Sequence, residues 1–432
     1  MNPIPGAVDA DAGPPTTVPL AHFVVALGFL LAGVAVGLGR GRGAHLAQVH
    51  LLLAGWVCLT ILGAMTQFVP VWTGTALHSR RLAAAQLPLS ALGFAGLAAA
   101  FLTHRRLWLP VAGAVALAGV WAFVYNVGRS LPRDEWDATT AHFATALTFF
   151  ALVTVAGVCL ALDRAVGLTP VAGVTRGRLL AAHATLAVFG AVLTTVAGAL
   201  AQLGPMFTQA PDWGPERALL RAETVGYPVG VVLLAVGRLV GLAHLARLGG
   251  LLVAAGLGVV GVVLASRLVR GPVEWSPMLT RYAVVALSLL VWAPLAALAW
   301  SDAPLALADL FGGPAGGTLL LVGVVGFTVF GTLYHVVPFL VWVDRYSDRV
   351  GLQAVPTIDD LYDGRLSRLD AISLVTAGLL SVAHEGGLAV DVRLAGGLAF
   401  LGAAVFAGNL LSVLAIHGPR SPVATEGDAP DG

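Results

Sequence analysis

Histidine supplies most of the side chains in this sequence that could do chemistry. The 432 residues include 11 histidines but only two cysteines, Cys58 and Cys159, which lie far apart in apolar runs. The cysteines therefore give no disulfide framework and no CxxC metal motif. An imidazole nitrogen can ligate a transition-metal ion. Six histidines lie in apolar runs or at their starts and are the candidate ligands: His22, His45, His50, His142, His183 and His335.

Other catalytic patterns are missing from the sequence. No segment resembles a phosphate loop, a Ser-His-Asp arrangement, a zinc-binding His-Glu-x-x-His helix or a dinucleotide fingerprint. Glu223 and Arg238 share one apolar run, where an ionisable residue is a functional hypothesis by default. Because they are 15 residues apart, or about 22 Å along a helix, they cannot pair directly.

The elements that position these side chains must lie in lipid. Hydrophobic residues make up 58% of the chain, charged residues 11%, and the mean hydropathy is +0.87. A water-soluble protein needs roughly a quarter of its residues charged, so a soluble enzyme is excluded. We expect an integral protein of a prokaryotic cytoplasmic membrane, with the lipid bilayer as its main partner. The net charge of +1 argues against a nucleic-acid partner.

A membrane span needs about 20 apolar residues, and the sequence contains twelve such runs. The runs are too long for barrel strands and lack period-two alternation, so the predicted fold is an all-α polytopic membrane protein. One membrane domain is expected over 19–417, between polar tails at 1–18 and 418–432. The predicted spans are 19–39, 45–74, 82–103, 107–128, 138–162, 179–208, 222–245, 248–266, 280–300, 316–343, 370–389 and 394–417.

An internal repeat relates the second, sixth and tenth spans. All three carry the pattern G-x4-T-x2-G-x3-[QH]-x2-P, at offsets of 135 and 133 residues. A second pattern, at the first, fifth and ninth spans, begins at His22, His142 and Tyr282. The G-x4-T pattern comprises Gly55, Thr60, Gly63, Gln67 and Pro70; Gly190, Thr195, Gly198, Gln202 and Pro205; and Gly323, Thr328, Gly331, His335 and Pro338.

The repeat predicts three tandem four-helix units, over about 19–128, 138–266 and 280–417, in a pseudo-threefold arrangement. Each unit has an even number of spans, so all three insert in the same direction. The Thr, Gly, Gln or His, and Pro of the motif follow one another at steps of three, four and three residues. They therefore lie along one helix face, where small residues permit close packing and a polar side chain must find a partner.

This sequence resembles the catalytic subunit, subunit I, of the haem-copper oxidases. Twelve helices in three groups of four, with polar signatures on the second, sixth and tenth, are similar to the topology of that superfamily. Local similarities are GTLYHVVPF at 331–339, FVPVWTGTALHSRRLAAAQLPLSALGF at 68–94, and AHLAQVHLLLAGWVCLTILG at 44–63. The last resembles the His-bearing start of the second helix, as also in small oxidase-like proteins and related membrane proteins of the nitric-oxide response.

The sequence departs from the oxidases at the copper site. Their copper is held by one histidine on the sixth helix and an adjacent His-His pair near the seventh, and this sequence has no His-His pair. His183 and His244 alone cannot make a three-nitrogen site. The early tenth-helix histidines that ligate both haems are also missing around Gly316 and Thr318. The resemblance therefore implies a divergent member in which copper is doubtful and oxygen reduction is not expected.

If a haem is bound, we expect its iron ligands among the histidines of the repeat helices. His50 is the first candidate, followed by His183, His45 and His335. His45 and His50 are five residues apart and point about 140° away from each other, so they cannot easily serve one haem. His335 occupies a position that is glutamine in the other two units, which predicts a repeated structural hydrogen bond as its alternative role.

Two further histidines, His22 and His142, are weak metal candidates. They match each other in the repeat and Tyr282 replaces them in the third unit, so a polar anchor at the membrane boundary explains them equally well. Any redox or membrane-subunit partner is expected on the polar segment 344–370, the largest such segment.

Two hypotheses of function remain open from the sequence. The first is an oxidase-like redox protein that binds a b-type haem, for electron transfer or for handling haem, copper or nitric oxide. The second is a non-redox, transporter-like or structural membrane subunit that keeps only the fold, since fold does not fix function. An active terminal oxidase or nitric-oxide reductase is disfavoured because the metal ligands are missing.

Overall fold

A computed structural model of the chain describes residues 15–39, 41–132, 134, 136–168 and 173–418. Within these residues the protein is helical without strands, as predicted. Among the described residues, twelve helices are long and apolar enough to cross a membrane. They are α1 (Thr17–Gly37), α2 (Gly43–Thr73), α3 (Arg80–Leu102), α4 (Trp108–Ser130), α5 (Ala138–Val166), α6 (Arg176–Thr208), α7 (Glu216–Val240), α8 (Ala243–Arg270), α9 (Pro277–Asp302), α10 (Thr318–Arg349), α11 (Gly364–Glu385) and α12 (Val392–His417).

Most helix limits differ from the predicted spans by a few residues, and the larger differences have polar causes. Helix α7 begins six residues before the predicted start of 222, because Glu216 in its first turn is paired with Arg267 of α8. Helix α11 begins at Gly364 rather than 370, because the Asp363 side chain accepts from backbone N–H groups of its first turn. The ends of the predicted tails, 1–14 and 419–432, lie outside the described residues.

The second, sixth and tenth helices form the centre of the bundle. Of their most apolar windows, 61%, 72% and 72% is buried, more than in any other described helix, of which α8 is the highest at 56%. Each of these three helices contains a π-helical segment, His50–Cys58 in α2, Leu186–Val192 in α6 and Thr318–Gly326 in α10. The segments fall at the same place in the sequence repeat. π-Helical turns are rare and occur frequently at functional sites, so this level of the three helices is the first candidate for one.

The two sequence patterns of the repeat meet in space. In each unit the motif glycine of the second helix packs against the His or Tyr position of the first helix, closely enough that a side chain would collide. A Cβ atom would lie 2.6 Å from His22 Cβ at Gly63, 2.7 Å from His142 Cβ at Gly198, and 3.1 Å from Tyr282 Cε1 at Gly331. The same small residue therefore sets the same close helix approach three times.

The bundle closes where α1 packs against α12. Neighbouring units meet through α4 and α5, and through α8 and α9. The arrangement of the three units around a pseudo-threefold axis stays a prediction.

The polar segment between α10 and α11 is ordered by local hydrogen bonds. The Trp342 indole N–H donates to the carbonyl of Pro356 at 2.7 Å. The backbone N–H and hydroxyl of Thr357 both donate to the carboxylate of Asp360, which lowers the pKa of that carboxyl. The predicted docking segment is thus a folded surface.

Candidate functional site

His50 begins the π-helical segment of α2 and has one nitrogen available. Its Nδ1 donates a hydrogen bond to the carbonyl of Leu46 at 2.8 Å. A carbonyl cannot donate, so Nδ1 carries the proton and Nε2 keeps its lone pair. The ring lies 5.0 Å from the ring of Phe101 and remains partly accessible. This tautomer is the one that metal-ligating histidines adopt when a backbone carbonyl fixes the other nitrogen.

His183 on α6 has the same arrangement. Its Nδ1 donates to the carbonyl of Val153 on α5 at 3.1 Å, which leaves Nε2 without a hydrogen bond to the described residues. Gly157, one turn further along α5, gives the imidazole its space: a Cβ atom there would lie 3.2 Å from His183 Cε1. The ring is therefore held from α5 while Nε2 stays free.

The structure places His50 and His183 at the same end of the central helices α2 and α6. Each is the eighth residue of its helix, and each ring is partly accessible. Of the four predicted cofactor ligands, these two, called here the histidine pair, each have Nδ1 held by a backbone carbonyl and a free Nε2. Two such nitrogens from separate helices are the donors that a six-coordinate haem iron requires.

The other two predicted ligands lie elsewhere. His45 is exposed at the start of α2. His335 lies near the opposite end of the bundle, where its ring packs edge-on against Phe207 of α6 at 4.6 Å and stacks over Phe339 at 6.0 Å. Neither residue joins the His50–His183 pair.

The repeated structural hydrogen bond predicted at the Gln67, Gln202 and His335 positions is not formed. The Oε1 atom of Gln67 is buried without a partner, and Gln202 contacts only the sulfur of Met206, at 3.9 Å. No hydrogen bond is formed by His335 within the described part of the chain. The three positions therefore do not share one repeated hydrogen bond, since Gln202 donates to the Met206 thioether and His335 packs against aromatic rings.

His22 and His142 instead make a polar bridge to the third helix of their unit. His22 donates from Nδ1 to the Val18 carbonyl at 2.8 Å, and its Nε2 accepts from the Gln86 amide of α3 at 3.2 Å. His142 donates from Nδ1 to the Ala138 carbonyl at 2.6 Å, and its Nε2 lies 3.1 Å from Glu223 Oε1 of α7. Both nitrogens of each ring are engaged, as the anchor role requires.

The third unit has an ionic version of this bridge. Arg281, next to Tyr282 on α9, is paired with Asp370 of α11, and both are completely buried. Tyr334 of α10 donates to the same carboxylate and lies under the guanidinium, 4.4 Å from its centre. Asn409 of α12 donates to the Tyr334 hydroxyl at 3.1 Å. One cluster therefore ties all four helices of the unit together.

Sequence reasoning missed the third-helix partners Gln86 and Asp370, and it considered Glu223 only in relation to Arg238. A signal was present, since each is a polar residue about two turns into the third helix of its unit. Comparing the third helices along the repeat would have identified them.

Arg238 and Glu223 do not pair, as the distance along the helix predicted. Arg238 donates to the Pro304 carbonyl at 3.1 Å and to the Thr185 hydroxyl at 2.8 Å, with Trp300 5.5 Å from its guanidinium. Its partner Thr185 is two residues from His183. A fixed positive charge thus lies at the same end of α6 as the histidine pair.

The space between α2 and α10 does not fit a haem in the position that the resemblance implies. The rings of Trp56 and Phe330 meet there at 4.8 Å, and early α10 carries no imidazole. Among the described residues, no group of three His, Cys, Asp or Glu side chains could hold a metal ion. The residues whose chemistry suits haem iron are His50 on α2 and His183 on α6, since each has an imidazole held at Nδ1 with Nε2 free.

Comparisons with known proteins bear on the fold. No protein-family model and no curated protein sequence matches this chain. Among the solved structures that match is one described as the cryo-electron microscopy structure of a haem-copper terminal oxidase dimer. The match covers 94% of this chain and 84% of that chain, with a TM-score of 0.67 and 12% sequence identity. It shows that this chain has the twelve-helix fold of a haem-copper oxidase subunit I, which confirms the expected fold class.

Proposed function

We propose that this chain is a subunit I-like protein of a prokaryotic cytoplasmic membrane that binds one b-type haem through His50 and His183 and transfers electrons. The observation that carries the proposal is the paired tautomers: on both rings a backbone carbonyl holds Nδ1, and Nε2 is free. A bound haem would supply reversible one-electron chemistry at its iron.

The protein's own contribution to such a site would be orientation and charge. The Leu46 and Val153 carbonyls fix the two rings and raise the basicity of the free nitrogens. Arg238, held two residues from His183 through Thr185, contributes a positive charge at the same end of the bundle. A nearby positive charge favours the reduced state of a redox centre and the ionised state of acidic groups on its ligand.

Oxygen reduction is not part of the proposal. The His-His pair of the oxidase copper site is missing from the sequence, and so are the early α10 histidines that ligate both haems in the oxidases. An electron-transfer role, or the handling of haem, copper or nitric oxide, requires fewer ligands. It also requires a redox or membrane-subunit partner, for which the folded 344–370 segment offers the largest polar surface.

A visible spectrum of the purified protein tests this function. The protein is expressed in haem-supplemented cells, and reduced-minus-oxidised spectra and the haem content per chain are measured. We expect about one haem per chain with a low-spin spectrum, which His50→Ala and His183→Ala each abolish or convert to high spin. His45→Ala and His335→Ala are matched controls that keep the band. A colourless wild-type protein, or a band that survives both variants, overturns the proposal.

The alternative is a non-redox, transporter-like or structural subunit with the same fold. The Trp56–Phe330 contact favours it, because aromatic packing occupies the interface where an oxidase would carry a haem. A colourless but well-folded preparation from haem-replete cells is the result that this alternative predicts.

A further inference from the structure

A cavity of about 210 Å³ lies at one end of the bundle, where α2 and α4 begin and α3 and α5 end. The residues that line it include Gly43, Phe101, His104, Arg106 and Arg164. These helix ends all lie on the same side of the membrane domain, so the cavity is at the boundary between membrane and water. It is separate from the histidine pair, since neither His50 nor His183 lines it.

The charged residues that line this cavity are cationic, and no acidic side chain neutralises them. Arg106 and Arg164 make no ion pair or hydrogen bond with the described residues, and no Asp or Glu lines the cavity. Asp163, the neighbour of Arg164 in the chain, is already paired with Arg176. Two guanidinium groups and an imidazole therefore share one space with no protein anion between them. Mutual repulsion would be relieved by a bound anion.

Two helix N-termini add to the positive potential. Gly43 lies in the first turn of α2 and Leu109 in the first turn of α4. Neither helix has a side-chain cap. In α4 the N–H groups of Trp108 and Leu109 donate to the Arg105 and Arg106 carbonyls, so the N–H groups free to meet an anion are those of the first turn of α2. The absence of a side chain at Gly43 matters, because a Cβ atom there would lie 2.6 Å from the Phe101 carbonyl oxygen. Glycine thus allows the α2 terminus to approach the cavity wall.

The surroundings of the cavity point to lipid as the source of the anion. Leu107 and Trp108, which follow Arg106 in the chain, are 70% and 59% exposed. Exposed tryptophan is typical of the depth at which lipid headgroups lie. The volume is below the roughly 300–1,000 Å³ of drug-sized ligand sites, but it accommodates a phosphate with part of its headgroup.

We propose that this cavity binds the phosphate group of an anionic membrane lipid, with the arginine forks of Arg106 and Arg164 as its ligands and His104 as a third donor. Arginine matches phosphate oxygens with paired hydrogen bonds, and basic pockets between membrane helices bind anionic headgroups. The proposal does not depend on haem binding.

Lipid titrations followed by native mass spectrometry test the site. The delipidated full-length protein is titrated with phosphatidylglycerol, with phosphatidylcholine and with inorganic phosphate. We expect preferential binding of phosphatidylglycerol, and a Kd for it that rises about 30-fold in the double variant Arg106→Gln/Arg164→Gln. Each single variant should give an intermediate effect.

The control removes the same charge elsewhere. Arg129 and Arg368 are exposed at the other end of the bundle, so Arg129→Gln/Arg368→Gln should leave phosphatidylglycerol affinity unchanged. Equal affinities in both double variants would overturn the site. Inorganic phosphate that binds as tightly as phosphatidylglycerol and displaces it would overturn the lipid as its occupant. The four substituted arginines are all exposed, so the variants should fold, and measured melting temperatures verify this.

Discussion

The Nε2 atom of His142 lies 3.1 Å from the Oε1 atom of Glu223, and each side chain is only 1% exposed. Since His142 Nδ1 donates to a backbone carbonyl, one further proton must lie between Nε2 and Oε1. The pair is neutral overall whichever atom holds that proton. It can therefore bridge α5 and α7 within the membrane without an uncompensated charge.

We predict that Glu223→Leu destabilises the protein by about 1–3 kcal/mol, because the buried imidazole then has an unsatisfied nitrogen. Glu223→Gln should cost much less, since an amide opposite the histidine reproduces the His22–Gln86 contact of the first unit. The free energy of unfolding is measured by SDS titration in mixed micelles. Equal losses in the two variants would show that the bridge is not a hydrogen bond in solution.

The loss of stability on replacing a repeat glycine by alanine should increase as the neighbouring atoms lie closer. A Cβ atom would lie 2.6 Å from a neighbouring atom at Gly63 and 2.7 Å at Gly198, but 3.1 Å at Gly331. The first two neighbours are Cβ atoms, which cannot move without the backbone. We expect Gly63→Ala and Gly198→Ala each to cost about 1–3 kcal/mol and Gly331→Ala to cost less.

Gly28 of α1 is the matched control for this series, because nothing lies within 4 Å of a Cβ atom there. Alanine is favoured over glycine inside a helix by about 0.5–1 kcal/mol, so Gly28→Ala should not destabilise the protein. The same SDS titrations measure all four variants. A loss at Gly331 as large as at Gly63 would contradict the packing argument.

The ionic cluster of the third unit should be the most costly to break. Asp370→Asn leaves Arg281 buried without a counter-charge, and we expect a loss of about 3–5 kcal/mol. Tyr334→Phe removes one hydrogen bond to the carboxylate and should cost about 1.5–3 kcal/mol. Both losses are measured as changes in the free energy of unfolding.

The double variant Arg281→Met/Asp370→Leu separates charge from packing. An apolar pair of similar volume needs no desolvation, so the double variant should be more stable than Asp370→Asn alone. If instead it is the less stable of the two, packing in this cluster matters more than the buried charge.

The helices could be predicted from the sequence because lipid imposes their length. Twelve apolar runs correspond to twelve helices in the described part of the chain, and the three that carry the repeat motif are the most buried of them. Their π-helical segments were not predictable in this way, since a changed hydrogen-bond register leaves no trace in hydropathy. His50 was selected for its place at the head of a repeat helix, and it begins such a segment.

Hydrogen-bond partners from distant parts of the chain were harder to predict than the helices. The sequence left His22 and His142 open between a metal role and a polar anchor, and it could not supply Gln86, 64 residues on, or Glu223, 81 residues on. The glutamine positions of the motif failed for a related reason. Equal spacing on α2, α6 and α10 gave no information about the neighbours, which include Phe207 for His335 and Met206 for Gln202.

Gly157 gives the His183 ring its space and cannot itself ligate a metal, so a substitution there changes the position of the imidazole without removing a ligand. A Cβ atom on Gly157 would lie 3.2 Å from His183 Cε1 and 3.6 Å from Nδ1, so Gly157→Leu must displace the ring. The imidazole is retained, but its hydrogen bond to the Val153 carbonyl should be lost. We expect lower haem content or a shift from low to high spin in the visible spectrum. Gly28→Leu, a change of equal size into open space, should keep the wild-type spectrum, and an unaltered spectrum in Gly157→Leu would exclude His183 as an oriented ligand.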